Sequence, residues 1–182
     1  MQRAAVYAAA MTMAGALSGT AFASAGAGVS ALWADATLPL AIGLGAIAFV
    51  YALHELEYLR VPVPGRDWQV PVEWVRGGFY RSAAIWGLIV GAGVFTRVTF
   101  AVVPILLAWL FVSGNVLYGT LAGALYGATR ALSIYASAGS SDSAQAVQLN
   151  ERLRQFAPAF HQAAGLALAT FAAYLIVAPN LP

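Results

Sequence analysis

The chain has 182 residues, of which 61% are hydrophobic and 9% charged, with a net charge of +2 and a mean hydropathy of +0.76. A soluble domain is about 45–50% apolar and about 25% charged, because charge has to cover the surface that faces water. This composition excludes a water-soluble globule, a disordered chain and a nucleic-acid binder, and the absence of cysteine excludes disulfides, thiol redox chemistry and thiolate metal sites.

The few charges are clustered. All nine basic residues are Arg, and eight of the sixteen charges lie between Glu55 and Arg81. Four more lie between Asp142 and Arg154, leaving Arg3, Asp35, Arg97 and Arg130 in otherwise apolar sequence. Arg-rich loops flanking membrane helices produce this pattern. At about 20 residues per crossing, the length accommodates about four to six spans. The expected architecture is an all-α, polytopic membrane bundle of about five spans forming one transmembrane domain over 1–182.

In chain order, residues 4–31 carry no charge and are rich in Ala and Gly, enough for one crossing. A secretory signal over residues 1–23 is the rival reading, with Arg3 as its basic start and Ala21-Phe22-Ala23 as a small-residue cleavage site. Residues 37–58 form the second predicted span, ending in His54-Glu55-Leu56-Glu57-Tyr58. Three prolines and a glycine then follow between Pro62 and Pro71, which no helix can continue through. Trp68, Trp74, Phe79 and Tyr80 suit the membrane–water interface.

Residues 82–112 are apolar except for Arg97. One straight helix of that length would measure about 46 Å against a hydrocarbon core of about 30 Å. Gly91, Gly93, Thr96, Arg97, Thr99 and Pro104 crowd its middle, so the sequence predicts one broken span. Residues 116–136 and 159–178 are the last two spans, separated by a polar loop over 137–157. With five spans and a cytoplasmic N-terminus, Arg3 and the Arg-bearing loops 59–81 and 137–157 all face the cytoplasm, as the positive-inside rule requires of an inner-membrane protein.

Three groups of residues are candidates for function. Arg97 with Thr96, Thr99 and Pro104 makes a substrate or ion site at the break, because a cation at mid-membrane costs about 2.5–3.5 kcal/mol unless it meets a partner or a cavity. His54 and Glu57, three apart on one predicted helix, could join His161 in a metal or proton site. The plainer alternative makes them polar residues at helix ends. Gly87, Gly91, Gly119, Gly123 and Gly127, spaced by four, are expected to let helices pack closely. Arg130 either snorkels to the cytoplasmic face or pairs with Glu55 or Glu57. No phosphate loop or serine triad is present, so the chain is expected to be no enzyme and to need no cofactor.

The stretches Leu59-Arg60-Val61-Pro62, Gly87 through Thr96, and Gly119 through Arg130 carry a further signal. From Ala52 onward the chain resembles the transmembrane family of cytochrome c biogenesis and thiol-reductase proteins (CcdA/DsbD type), the methylamine-utilisation (MauF-like) members being nearest. In that family a Gly-rich helix leads into a Thr-Pro-Cys break. The thiol's place falls at about Val98 to Phe100 here, and the family usually has six spans. The resemblance therefore implies the scaffold without the thiol chemistry: a membrane protein assisting assembly or maturation of a redox protein. The alternatives are a small-solute or ion transporter with its site around Arg97, and a structural subunit of a larger membrane complex. Lipid and other membrane subunits are the expected partners.

Overall fold

The computed structural model describes residues 2–63, 71–75, 78–93, 100–138, 148, 151–152 and 154–177. All regular structure among the described residues is helical. Helix α1 (Gln2–Val29) continues through a short 3₁₀ segment (Ser30–Ala36) into α2 (Thr37–Glu55). The single-turn α3 (Val72–Val75), then α4 (Phe79–Gly91), α5 (Val102–Ser113), α6 (Val116–Ala138) and α7 (Ala157–Val177) complete the order. Pro39, Pro104 and Pro158 fall in the first turns of α2, α5 and α7. A proline is tolerated there because the missing N–H would have had no intrahelical partner.

Among the described residues, three segments are long and apolar enough to cross a bilayer: Ala4–Leu32, Thr37–Glu55 and Arg154–Val177. They correspond to the first, second and last predicted spans. The fourth predicted span is the 23-residue α6, long enough in residues but diluted by its glycines, tyrosines, threonines and Arg130. The third, 82–112, contains two short helices, α4 of 13 residues and α5 of 12. Each is about 18–20 Å long, short of the roughly 30 Å that a single crossing needs. Large apolar side chains stay on the outside of these helices, among them Leu121 (58% exposed), Leu125 (66%) and Leu166 (61%). Outward leucines on several helices match a lipid solvent rather than water.

Contacts divide the chain into two compact units, with α1 contributing its residues up to Ala21 to the first and the remainder to the second. The first unit comprises Met1–Ala21, Gly65–Arg97 and Val116–Arg154. Its packing is set by glycine. A Cβ added to Gly15 would strike the carbonyl oxygen of Gly123, and one on Gly19 that of Gly119. One on Gly127 or Gly91 would strike the carbonyl of Met11, and one on Gly87 would lie 2.6 Å from the Tyr7 carbonyl oxygen. Helices α4 and α6 thus both rest on the backbone of α1. In lipid, where apolar surface is not driven together by water, such close approach is what holds helices side by side. A hydrogen bond between Thr20 and Thr120 (2.6 Å) ties α1 to α6.

The second unit comprises Phe22–Pro64, Val98–Asn115 and Gln155–Pro182. Leu44, Ala48 and Ala52 of α2, Ala101 and Ile105, and Leu168, Ala172 and Leu175 of α7 form its buried core. Ala48 and Ala52 are fully buried, and their small side chains let α2 and α7 lie close. Trp109 of α5 meets Phe171 of α7 edge-on, with ring centroids 5.9 Å apart. Helix α5 stops at Gly114, whose φ of +59° is the left-handed cap that favours glycine.

Candidate functional site

The site lies in the second unit, where α2 ends, α7 begins and the chain enters α5. Helix α2 ends in a tight cap. The Leu56 N–H donates to the Ala52 carbonyl (3.0 Å), that of Glu57 to His54 (3.0 Å) and that of Tyr58 to Leu53 (2.9 Å). Glu57 takes the left-handed conformation, φ +64°. Just before this turn, Glu55, the last residue of α2, points inward on the helix face that carries Ala48 and Ala52.

Glu55 is only 2% exposed and is satisfied from two sides. Its Oε1 accepts the Ala101 backbone N–H at 2.6 Å. Its Oε2 lies 2.5 Å from His161 Nδ1. One carboxylate therefore joins α2, the residue preceding α5, and the second turn of α7. The Phe100 ring lies 4.8 Å from that of His161, tilted by 45°. With Nδ1 facing the carboxylate, the His161 Nε2 has no hydrogen-bond partner among the described residues.

His54 is used differently. Its Nδ1 accepts the Val61 N–H at 3.2 Å and lies 3.3 Å from the Leu59 carbonyl oxygen. The imidazole thereby pins the segment following α2, and Tyr51 does the same by donating from its hydroxyl to the Pro62 carbonyl (3.1 Å). His54, Glu55, Glu57, Leu59, Arg60 and His161 line a pocket of about 370 Å³. The structure thus gathers His54, Glu57 and His161 around one pocket, but the carboxylate that meets His161 is Glu55. Among the described residues, no three His, Asp or Glu side chains could hold a metal ion together.

Of the proposed substrate site, Thr96, Arg97 and Thr99 lie outside the described residues. Pro104 is the third residue of α5 and is partly buried. Arg130 belongs to the first unit. Its guanidinium donates to the Val90 carbonyl (3.2 Å) and the Tyr126 hydroxyl (2.6 Å), and stands 5.6 Å from the Tyr126 ring centroid. Val90 is in the last turn of α4, so Arg130 caps a helix C-terminus, where a cation is favoured. Both oxygens of Glu55 are engaged, one by the Ala101 N–H and one by His161.

The sequence reading passed over the central role of Glu55, although the signal was there. Leu44, Ala48, Ala52 and Glu55 recur at helical spacing, which places Glu55 on the buried face. The pairing of His54 with Glu57 assumed a helix running to residue 58. Because α2 ends at Glu55, those two side chains do not share a helix face.

Comparison with known proteins gives a partial likeness. Over 97 residues the chain is 34% identical to the methylamine utilization protein MauF of Methylorubrum extorquens, covering 50% of this chain and 32% of that protein. Over 84 residues it is 37% identical to the MauF of Paracoccus versutus, covering 41% of this chain and 28% of that one. The chain thus matches about a third of the length of these relatives. No family model and no solved structure matches. The likeness supports the MauF side of the resemblance; the wider CcdA/DsbD family is not shown by it.

Proposed function

We propose that this chain is an accessory membrane protein that assists assembly or maturation of a membrane or extracytoplasmic redox protein, without catalysis or thiol chemistry of its own. The observation that carries this reading is the 34% identity over 97 residues to a methylamine utilization protein. The three apolar helices of spanning length supply the membrane setting, and the lack of cysteine removes thiol–disulfide exchange from the mechanism. The clustered arginines favour the inner membrane with a cytoplasmic N-terminus. In this reading the buried Glu55–His161–Ala101 junction holds the second unit in shape, leaving the outer helix faces for partner subunits.

Deletion of the gene tests the proposal. The expected phenotype is a redox enzyme that is present at normal abundance but immature, restored by the intact gene. Full maturation of every membrane-associated and extracytoplasmic redox enzyme in the deletion strain would overturn it.

A second reading, a small-solute transporter, is favoured by the presence of two short helices, α4 and α5, within 82–112. Discontinuous helices commonly frame transporter sites, because their free termini offer backbone groups to a substrate. Here Arg97, Thr96 and Thr99 would bind the solute. The reading expects Arg97→Ala to abolish uptake into proteoliposomes while the protein still folds; unchanged uptake rules it out.

A further inference from the structure

Around the pocket at the end of α2, two charged side chains have no partner among the described residues. Glu55 is occupied by His161 and Ala101, and His54 by the Val61 N–H. Glu57 and Arg60 also line the pocket, and neither has a side-chain hydrogen-bond or ion-pair partner among the described residues. An unpaired carboxylate and an unpaired guanidinium, three residues apart on one wall, are complementary to a zwitterion. The carboxylate side of the pocket disfavours a ligand that is only anionic.

The backbone adds a second observation. Glu57 sits at φ +64°, a conformation that glycine adopts without a Cβ penalty and that an ordinary side chain adopts at a cost. The cap of α2 alone would be better served by glycine. Glutamate here places a carboxylate at the mouth of the pocket.

The third observation is a groove in the same unit. Val102, Ile105 and Leu106 of α5 with Ala167, Leu168 and Phe171 of α7 enclose about 210 Å³ of almost wholly apolar space. It starts close to the polar pocket: Val102 follows Ala101, whose N–H is held by Glu55. Along α7, His161 and Leu168 are seven residues, or about 10 Å, apart. A polar pocket with both signs of charge, beside an apolar groove between the short apolar helix α5 and the membrane-length helix α7, has the chemical layout of one lipid molecule.

We propose that pocket and groove together hold a phospholipid with a phosphoethanolamine headgroup. Its primary ammonium donates hydrogen bonds to Glu57, its phosphate is bound by Arg60, and one acyl chain lies along the groove. A choline headgroup presents methyl groups and has no N–H to give Glu57, and a glycerol headgroup has no cation. Charge-assisted hydrogen bonds are the stronger kind, so the ammonium sets the selectivity. The proposal goes beyond the accessory role and requires only that the chain lies in a bilayer.

The test is native mass spectrometry of the full chain in mild detergent, offered equal amounts of dioleoyl phosphatidylethanolamine, phosphatidylcholine and phosphatidylglycerol. The expected result is a phosphatidylethanolamine adduct at least about tenfold over either competitor, the size of one charge-assisted hydrogen bond gained. Glu57→Gly, which suits the left-handed backbone, should bring the three lipids to about parity while the thermal transition stays at or above that of wild type, and Arg60→Gln, which removes the contact to the phosphate common to all three, should lower every adduct while keeping the ethanolamine preference. Leu106→Trp, which fills the groove, should lower all three adducts together. Equal binding of the ethanolamine and choline lipids by the wild type would overturn the proposal. So would a preference for phosphatidylglycerol. Displacement of the lipid by chain-free glycerophosphoethanolamine at equal concentration would also overturn it, since the groove would then contribute nothing.

Discussion

Replacing Glu55 by Ala removes a carboxylate that is 2% exposed and leaves two donors, the Ala101 N–H and His161 Nδ1, facing an empty space. A hydrogen bond to a charged group contributes about 1.5–3 kcal/mol, and breaking a buried pair by removing one partner costs about 3–5 kcal/mol. His161 is 35% exposed, so water reaches it in the variant and the loss falls at the low end, about 3 kcal/mol. At about 2–4 °C per kcal/mol for a chain of this size, the melting temperature should drop by about 6–12 °C. Tryptophan fluorescence or circular dichroism in detergent reads the transition; with no cysteine in the chain, thiol-reactive dyes cannot. Glu55→Gln keeps an oxygen for Ala101 and should lose roughly half as much. Neutral interhelical hydrogen bonds in membranes average about 0.6 kcal/mol. A Glu55→Ala loss no larger than that would refute the claim that this charged junction holds α2, α5 and α7 together.

Glycine substitutions should divide sharply. Gly19→Ala drives a methyl into the Gly119 carbonyl and should prevent α1 and α6 from closing, whereas Gly43, with nothing within 4 Å of an added Cβ, should accept Ala with a gain of about 0.5–1 kcal/mol; thermal unfolding of the two variants compares them directly. Gly114→Ala should cost about 1 kcal/mol, because it puts a side chain at φ +59° and within 3.2 Å of the Ala27 backbone. Arg130→Leu removes the donor to the Val90 carbonyl and should destabilise by about 1–3 kcal/mol, with faster amide exchange in the last turn of α4; an unchanged exchange pattern would count against the capping role.

How much was legible in the sequence depended on whether a signal is local. The ends of α2 and α5 show the boundary. Gly114 announces a stop by its residue type, whereas α2 stops at Glu55 because Glu57 turns left-handed, which no propensity foretells. The glycine spacing marked Gly119, Gly123 and Gly127 for packing, and the structure sets them against α1. Only the fold shows that Gly15, Gly19 and Met11 are what they meet. Arg130 could be seen as a cation needing a partner, but its partner, the Val90 carbonyl, is a backbone atom 40 residues away and carries no residue-type signal. The interruption within 82–112 was readable from its glycines, threonines and proline, while Thr96, Arg97 and Thr99 themselves lie outside the described residues.

Composition by itself determined the solvent and the class. With 61% hydrophobic residues and 9% charged, the chain cannot cover itself for water, and uncharged stretches of membrane length leave helices as the economical way to satisfy the backbone. The missing cysteine likewise removed thiol chemistry before any fold was known. Tertiary structure alone decided which acid matters. Helical spacing puts Glu55 on the buried face, but Glu57 is the same residue type two positions on, and only the fold shows that one carboxylate meets His161 while the other lines the pocket. That difference comes from the turn at Glu57 and from two segments, 46 and 106 residues further on, that bring an N–H and an imidazole to Glu55.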